Sequence, residues 1–308
     1  MRGNNYGLKT RDMAKAARFA MNREAANKDA SFSTAATIAD RFNQFAQFAK
    51  SEGLRRLEEV TREHVASYGQ DLAERVANGE LSPAYAQNLV SAVNTVMDAA
   101  TRGQWQSVSP TSECGITHRS SVRDTPAVAT DRGKVEAAQA AMNERGQAIT
   151  GLALDLGLRS KEASLINAAG ALKEAQETGR VTIIDGTKGG RAREIPITHA
   201  RQIESLSLAS RVQGEARSLV PDNQSWATFR GGELREIRET LQAHQVPGLH
   251  DLRAAYASER YQTLTGERPP IEGGQASRAA DLAARHVLAV ELGHGRIDII
   301  NAYIGGRP

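Results

Sequence analysis

The sequence predicts a mainly α-helical protein with one small β-hairpin, divided into two domains. Three observations support this. Apolar residues recur at helical spacing through most of the chain. Aromatics make up only 5% while alanine is abundant, which suits packed helices better than a β-sandwich. The length of 308 residues favours two domains over one.

The elements follow in order. Residues 1–30 are read as an N-terminal extension, either a short basic helix or a mobile segment over 11–28. From residue 33 the helical period is clear: Ile38, Phe42, Phe45 and Ala49 share one face, and Gly53 supplies a C-terminal stop. Val65, Tyr68, Leu72 and Val76 make a second stripe. Ser82-Pro83 reads as an N-cap with proline in the first helical position, and Leu89, Val93, Val96 and Ala100 continue a third helix that Gly103 ends. Residues 31–105 are therefore expected to form a compact helical domain. The polar, turn-prone stretch that follows, with Ser107, Ser109, Pro110, Ser112 and Gly115, reads as a linker over 106–120. A second domain is placed at 121–308. Within it Val181–Asp185 and Arg193–Ile197 are β-like runs flanking Gly186-Thr-Lys-Gly-Gly190, a hairpin signal, and Pro196 sets its strand at an edge or end. Residues 266–280, with Pro269-Pro270 and Gly273-Gly274, read as a surface loop, and Ala283 to Leu292 as a helix that Gly293 ends.

Composition narrows the function. The net charge is only +3, with a pI near 9.1, which permits a nucleic-acid partner without demanding one. Cys114 is the single cysteine, so no disulfide framework forms within the chain, and a reducing cytoplasm is the expected location. No apolar run reaches the about 18 residues of a membrane span, and the polar start Met1–Thr10 lacks the apolar core of a secretory signal.

The residues that carry chemistry lie in the second half. Arg159 follows Gly157-Leu158 and precedes Glu162 by one helical turn. Its planar fork stays charged at any working pH and suits the non-bridging oxygens of a phosphate. Glu162 can orient Arg159 or its backbone, although an i, i+3 surface ion pair is the ordinary reading. Lys188 sits in the hairpin turn, where an ammonium can swing into a cleft and donate a proton to a leaving alkoxide; Arg191 competes for that role. His250 and Arg253 stand three apart, so on a helix they share a face and address one phosphate. An unperturbed histidine titrates near about 6.5, so His250 can accept a tyrosyl proton. Asp251 between them faces elsewhere and is read as a helix cap. His294 follows Leu292-Gly293 and can donate to the same phosphate. Tyr303, nine residues on, is the candidate nucleophile. A phenol needs a base or cations to activate it, and two arginines with two histidines supply both. Tyr256 and Tyr261 are alternatives, but on the helix of Arg253 they read as packing residues. Taken singly, each of these residues also fits an ordinary packing or surface role.

This ordered set, with a hairpin lysine between its arginines, resembles the tyrosine recombinase (phage integrase) family over roughly residues 33–304. The resemblance implies a two-domain, C-shaped DNA clamp built from a helical (SAM-like) core-binding domain and an α+β catalytic domain. It makes Arg159, Lys188, His250, Arg253, His294 and Tyr303 the catalytic set, with Glu162 in support. It implies attack on a phosphodiester through a 3′-phosphotyrosyl intermediate, with no cofactor and no metal. The implied function is site-specific recombination, as the integrase of a mobile element. The alternatives are a chromosome- or plasmid-dimer resolvase of the same chemistry, a topoisomerase-like nickase, and a DNA-binding accessory protein without catalysis. The implied partners are double-stranded recombination sites, further copies assembling as a tetramer on synapsed DNA, and an accessory directionality factor, in the cytoplasm on the nucleoid.

Two features depart from the family pattern. Arg253 and His294 are 41 residues apart (294 minus 253), which points to an insertion near 266–280. Only Ile304-Gly-Gly-Arg-Pro308 follows Tyr303, where many relatives use a longer tail to dock on a neighbouring protomer, so the expectation is docking through the inserted loop or the tyrosine helix, or else weak assembly.

Overall fold

The computed structural model describes residues 4–27 and 31–307. The chain divides between Ser120 and Ser121 into two compact units.

The first unit is built from α1 (Met13–Ala26), α2 (Phe32–Ser51), α3 (Arg62–Ala77) and α4 (Pro83–Thr101). Its N-caps are the sequence's own: Asp12, Ser31 and Ser82 accept backbone N–H bonds in the first turns of α1, α2 and α4. Phe42, Phe45, Tyr68, Leu72, Leu89, Val93 and Val96 fill the core at the expected spacing. Two expectations are corrected here. The N-terminal segment is not a separate extension, because Met13, Ala16, Ala17, Ala20 and Met21 bury one face of α1 in the same core. Residues 1–3 and 28–30 of that expected extension lie outside the described residues. Nor is 106–120 a free linker: Val108, Cys114 and Ile116 are buried in this core, anchoring an otherwise polar stretch.

The second unit runs α5 (Arg132–Ala140), α6 (Glu144–Asp155), α7 (Ser160–Leu165), α8 (Ala168–Thr178), β1 (Arg180–Ile183), β2 (Arg193–Pro196), α9 (Ala200–Gln213), α10 (Trp226–Gly231), α11 (Glu233–Ala243), α12 (Leu249–Thr265), α13 (Arg278–Glu291) and the single turn α14 (Asn301–Ile304). The strands pair antiparallel with Val181 opposite Ile195 and Ile183 opposite Arg193. Directly opposed residues share a face, so Arg193 lies on the buried side with Val181, Ile183 and Ile195. Pro196 ends its strand, where a missing N–H is tolerated. Helix α12 is buried on nearly every side, including Arg253, Tyr256 and Tyr261, as expected of a central helix. The expected loop over 266–280 is shorter than read: a 3₁₀ turn spans Pro270–Glu272, and α13 already begins at Arg278 behind its Ser277 cap. No described helix is long and apolar enough to cross a membrane.

Candidate active site

Two chain reversals bring much of the site together within the second unit. After α6, Gly157 adopts φ +60, and a Cβ there would fall 2.5 Å from Cδ1 of Tyr256. Only glycine meets both demands. The carbonyl it presents accepts a hydrogen bond from Nη1 of Arg253. Two residues on, Arg159 caps α7, and Glu162 closes a capping box by accepting the Arg159 backbone N–H at 2.7 Å.

The end of α13 supplies the second reversal. Gly293 (φ +64) and His294 donate their N–H groups to Val290 and Ala289, at 2.9 and 2.7 Å, which is a Schellman closure. This throws His294 off the helix end toward α14. It also leaves late carbonyls of α13 for side-chain donors. Three arginines take them: Arg159 Nη2 (3.2 Å) and Arg253 Nη2 reach the Leu292 carbonyl, and Arg193 Nε reaches that of Glu291 at 2.8 Å. Cations suit the negative end of a helix.

Glu162 ties these arginines into one body. It is fully buried and accepts Arg193 at 2.8 and 2.6 Å and Arg159 Nη1 at 2.7 Å, with Arg253 Nη1 at 3.9 Å. Burial pushes its pKa up, but the hydrogen bonds and charges of Arg193 and Arg159 prevail and hold it at about 2. The Arg159–Glu162 contact is therefore an interior one rather than a surface ion pair.

Tyr303 lies in α14 with its ring buried. Its hydroxyl oxygen accepts a hydrogen bond from Arg253 Nε at 3.2 Å and stands 3.0 Å from His294 Nε2. The Arg253 guanidinium carbon also lies 5.6 Å from the tyrosine ring centre. His294 has its pKa lowered to about 4, first by burial and then by Arg253, Arg159, Arg193 and Lys188. It is neutral at neutral pH. With His294 neutral and its proton on Nδ1, the tyrosyl O–H can donate to Nε2 while its oxygen accepts from Arg253.

His250 stands beside the pair, its ring centre 5.4 Å from that of Tyr303. Crowding around the ring, then Arg253, Arg123 and Arg159, lowers its pKa, while its edge stays exposed. The tyrosyl hydrogen bond goes to His294, not to His250. Arg253 is buried, and burial lowers its pKa to about 10, so it remains a cation at neutral pH. Lys188 is exposed on the hairpin between β1 and β2, and Arg191 packs its Nη1 against Gly295. Asp251 does not cap α12; its buried carboxylate accepts from Arg123 and from the Ala129 N–H at 2.9 Å, stapling the start of the unit to α12.

Several participants escaped the sequence reading. Arg193 was seen only as part of a strand, although strict alternation places it inward with Ile195, and an inward arginine calls for a carboxylate. Glu291 accepts from Tyr256 Oη at 2.8 Å and from Arg260 at 2.9 Å, bracing α12 against α13. Among the described residues, no group of His, Cys, Asp and Glu is arranged to hold a metal ion.

A buried tyrosine presented to arginines and a neutral histidine has the chemistry for nucleophilic attack on an anionic ester. Residues 116–259 match the family model described as Integrase. The matched stretch carries Arg159, Lys188, His250 and Arg253. The fold is shared with the XerH site-specific recombinase bound to a palindromic difH substrate (TM-score 0.59, 17% identity, 93% of this chain and 79% of that one). It is shared also with lambda integrase (residues 75–356) bound to DNA (0.57, 15%, 92% and 95%). A third such structure is the Tn1549 transposon integrase in complex with transposon right end DNA (0.56, 10%, 95% and 95%). No curated protein matches by sequence.

Proposed function

We propose that this chain is a site-specific DNA recombinase that cuts and rejoins strands through Tyr303, serving the integration or excision of a mobile element. The observation that carries this reading is the Tyr303 hydroxyl held between Arg253 Nε and His294 Nε2. Tyr303 Oη attacks a backbone phosphorus and its proton passes to His294. The new P–O bond forms as the P–O5′ bond breaks, and Lys188 protonates the leaving 5′ oxygen. A 5′-hydroxyl from another strand reverses the step, so the bond energy is kept in the phosphotyrosyl link.

Arg159 is the more accessible arginine, with a side chain 24% exposed. Its Nε and one proton on each Nη remain open to phosphate oxygens after its bonds to Glu162 and Leu292 are counted. Arg253, which donates Nε to the tyrosyl oxygen, is assigned to the charge that builds up beside it. Both stabilise the added charge of the pentacoordinate transition state. His250, with its exposed edge, is assigned to a non-bridging oxygen. Double-stranded DNA and further copies of the chain, as a tetramer on paired sites, are its partners, and the nucleoid is its place of action. Binding is expected to weaken steeply with salt.

The test is covalent trapping. Wild type and Tyr303→Phe are incubated in EDTA with nicked fragments of the DNA flanking the gene. A denaturant-resistant adduct with wild type alone supports the reading. An adduct with the variant removes Tyr303 as nucleophile.

A further inference from the structure

The turn that carries Tyr303 cannot hold itself in place. A four-residue helix has no stability of its own, because its first turn costs more chain entropy than its hydrogen bonds return. Something must fix it, since misplacement by about 1 Å lowers a positioned reaction on the order of 100-fold. Most of the hydrogen bonds that flank it run to one side chain. Arg285, on the inner face of α13, is completely buried. Its Nε binds both oxygens of Asp281 at 2.8 and 2.9 Å. Its Nη1 donates to Asn301 Oδ1 at 2.7 Å and to the Gly305 carbonyl at 3.2 Å, and its Nη2 to the Gly306 carbonyl at 3.1 Å. One guanidinium thus grips the chain two residues before Tyr303 and two and three residues after it. Asp281 is itself anchored by the Tyr261 hydroxyl at 2.9 Å, and the Asn301 carbonyl accepts the Arg123 N–H at 2.9 Å.

We infer that Arg285 is a positioning residue, a buried clamp that holds Tyr303 in the site of its own subunit by gripping the chain on both sides of it. This rests on the reading of Tyr303 as nucleophile. Arg285 touches neither the tyrosyl oxygen nor any group assigned to the phosphate. It acts through the backbone. The same clamp ties the backbone of residues 305–306 to α13.

Removal of Arg285 would leave the buried Asp281 with the Tyr261 hydroxyl and, at 3.9 Å, Arg307 as its partners, so Arg285→Ala risks misfolding. Arg285→Lys is the sharper variant. An ammonium can still pair with Asp281 but cannot reach three further acceptors in a plane. Two readouts are taken together on the full chain. Amide hydrogen exchange of residues 300–307 is expected to quicken at least tenfold in Arg285→Lys while α6 and α12 keep their protection. Adduct formation on the nicked flanking fragments is expected to fall on the order of 100-fold, with DNA affinity unchanged. Asn301→Ala, which removes one clamp contact without stranding a charge, should give a smaller loss in the same direction. Unchanged exchange over 300–307 in Arg285→Lys overturns the clamp whatever the activity, as does a wild-type rate of adduct formation. Absence of an adduct from wild type overturns the recombinase reading instead, and leaves the exchange result to decide whether the clamp exists.

Discussion

Replacement of Glu162 by glutamine tests the centre of the site. The carboxylate is fully buried and receives Arg193 twice, Arg159 once and the Arg159 backbone N–H. It is held at about 2 where a carboxyl ordinarily titrates at 4.5. At about 1.4 kcal/mol for each tenfold change in protonation, that depression stabilises the folded unit by roughly 3 kcal/mol at neutral pH. The folded pKa lies below the unfolded one, so the stabilisation is complete above about pH 5 and is lost as pH falls toward 2. At pH 3.5 about 2 kcal/mol remains by the same relation. Glutamine keeps the shape but leaves the buried Arg193 without a counter-charge, a change that costs about 3–5 kcal/mol. Urea unfolding of wild type and Glu162→Gln at pH 7 and pH 3.5 measures both quantities, and the other carboxylates cancel in the difference. The expected gap is at least about 3 kcal/mol at pH 7 and narrows by about 1 kcal/mol at pH 3.5. A gap that is the same at both pH values, or negligible at pH 7, would refute the assignment of Glu162 as the charge that organises the arginines.

Three further outcomes follow from the same geometry. Gly157→Ala forces a Cβ into Tyr256 at a positive φ and should destabilise the second unit by at least about 2 kcal/mol in urea; a change within about 0.5 kcal/mol would contradict the close approach. His294 should titrate near 4 by NMR in the DNA-free protein. Its folded pKa is depressed, so the folded state binds fewer protons and this contribution to stability is lost as pH falls from about 6.5 toward 4; an inflection at the ordinary histidine value would show that the arginines do not act on it. The buried Cys114 thiol, pushed up to about 11 by burial and by Glu113, should resist a thiol reagent at pH 8 until the first unit unfolds, and rapid labelling of the native chain would place it at the surface.

What could be read from the sequence was whatever is local in period or spacing. The stripes of α2, α3 and α4 contrast strongly with their polar faces, and the Lys188 hairpin is bounded by β-branched runs. Leu292-Gly293-His294 is a helix stop whose geometry follows from glycine alone. Helix α1 was ambiguous because its buried face is mostly alanine, which offers little contrast with the remainder of the helix. Val108, Cys114 and Ile116 are single apolar anchors within a polar stretch, too sparse to set a period. Asp251 looked like a cap because it begins a helix, but its partners Arg123 and Ala129 are more than 120 residues away. Asp281 and Arg285 look like a routine i, i+4 surface pair. Their burial comes from contacts with residues 301–306, which no spacing reveals.

The arginines around Tyr303 and the single Arg285 under α14 differ in charge balance. Around Tyr303, three arginines share the single carboxylate of Glu162, because Glu291 is taken up by Tyr256 and Arg260. The positive excess is felt by His294, whose pKa those arginines help to depress. On the proposed reading, a phosphodiester entering there would supply the missing negative charge and the pentacoordinate state more, so the site would match the transition state better than the empty protein. Under α14 the account is different: Arg285 is matched by Asp281, and its remaining donors go to neutral amide and carbonyl oxygens. A clamp that carried excess charge would compete for the phosphate and draw it away from Arg159. Paired with Asp281, which Arg307 also approaches at 3.9 Å, Arg285 is placed to hold the proposed nucleophile without adding an uncompensated buried charge beside it.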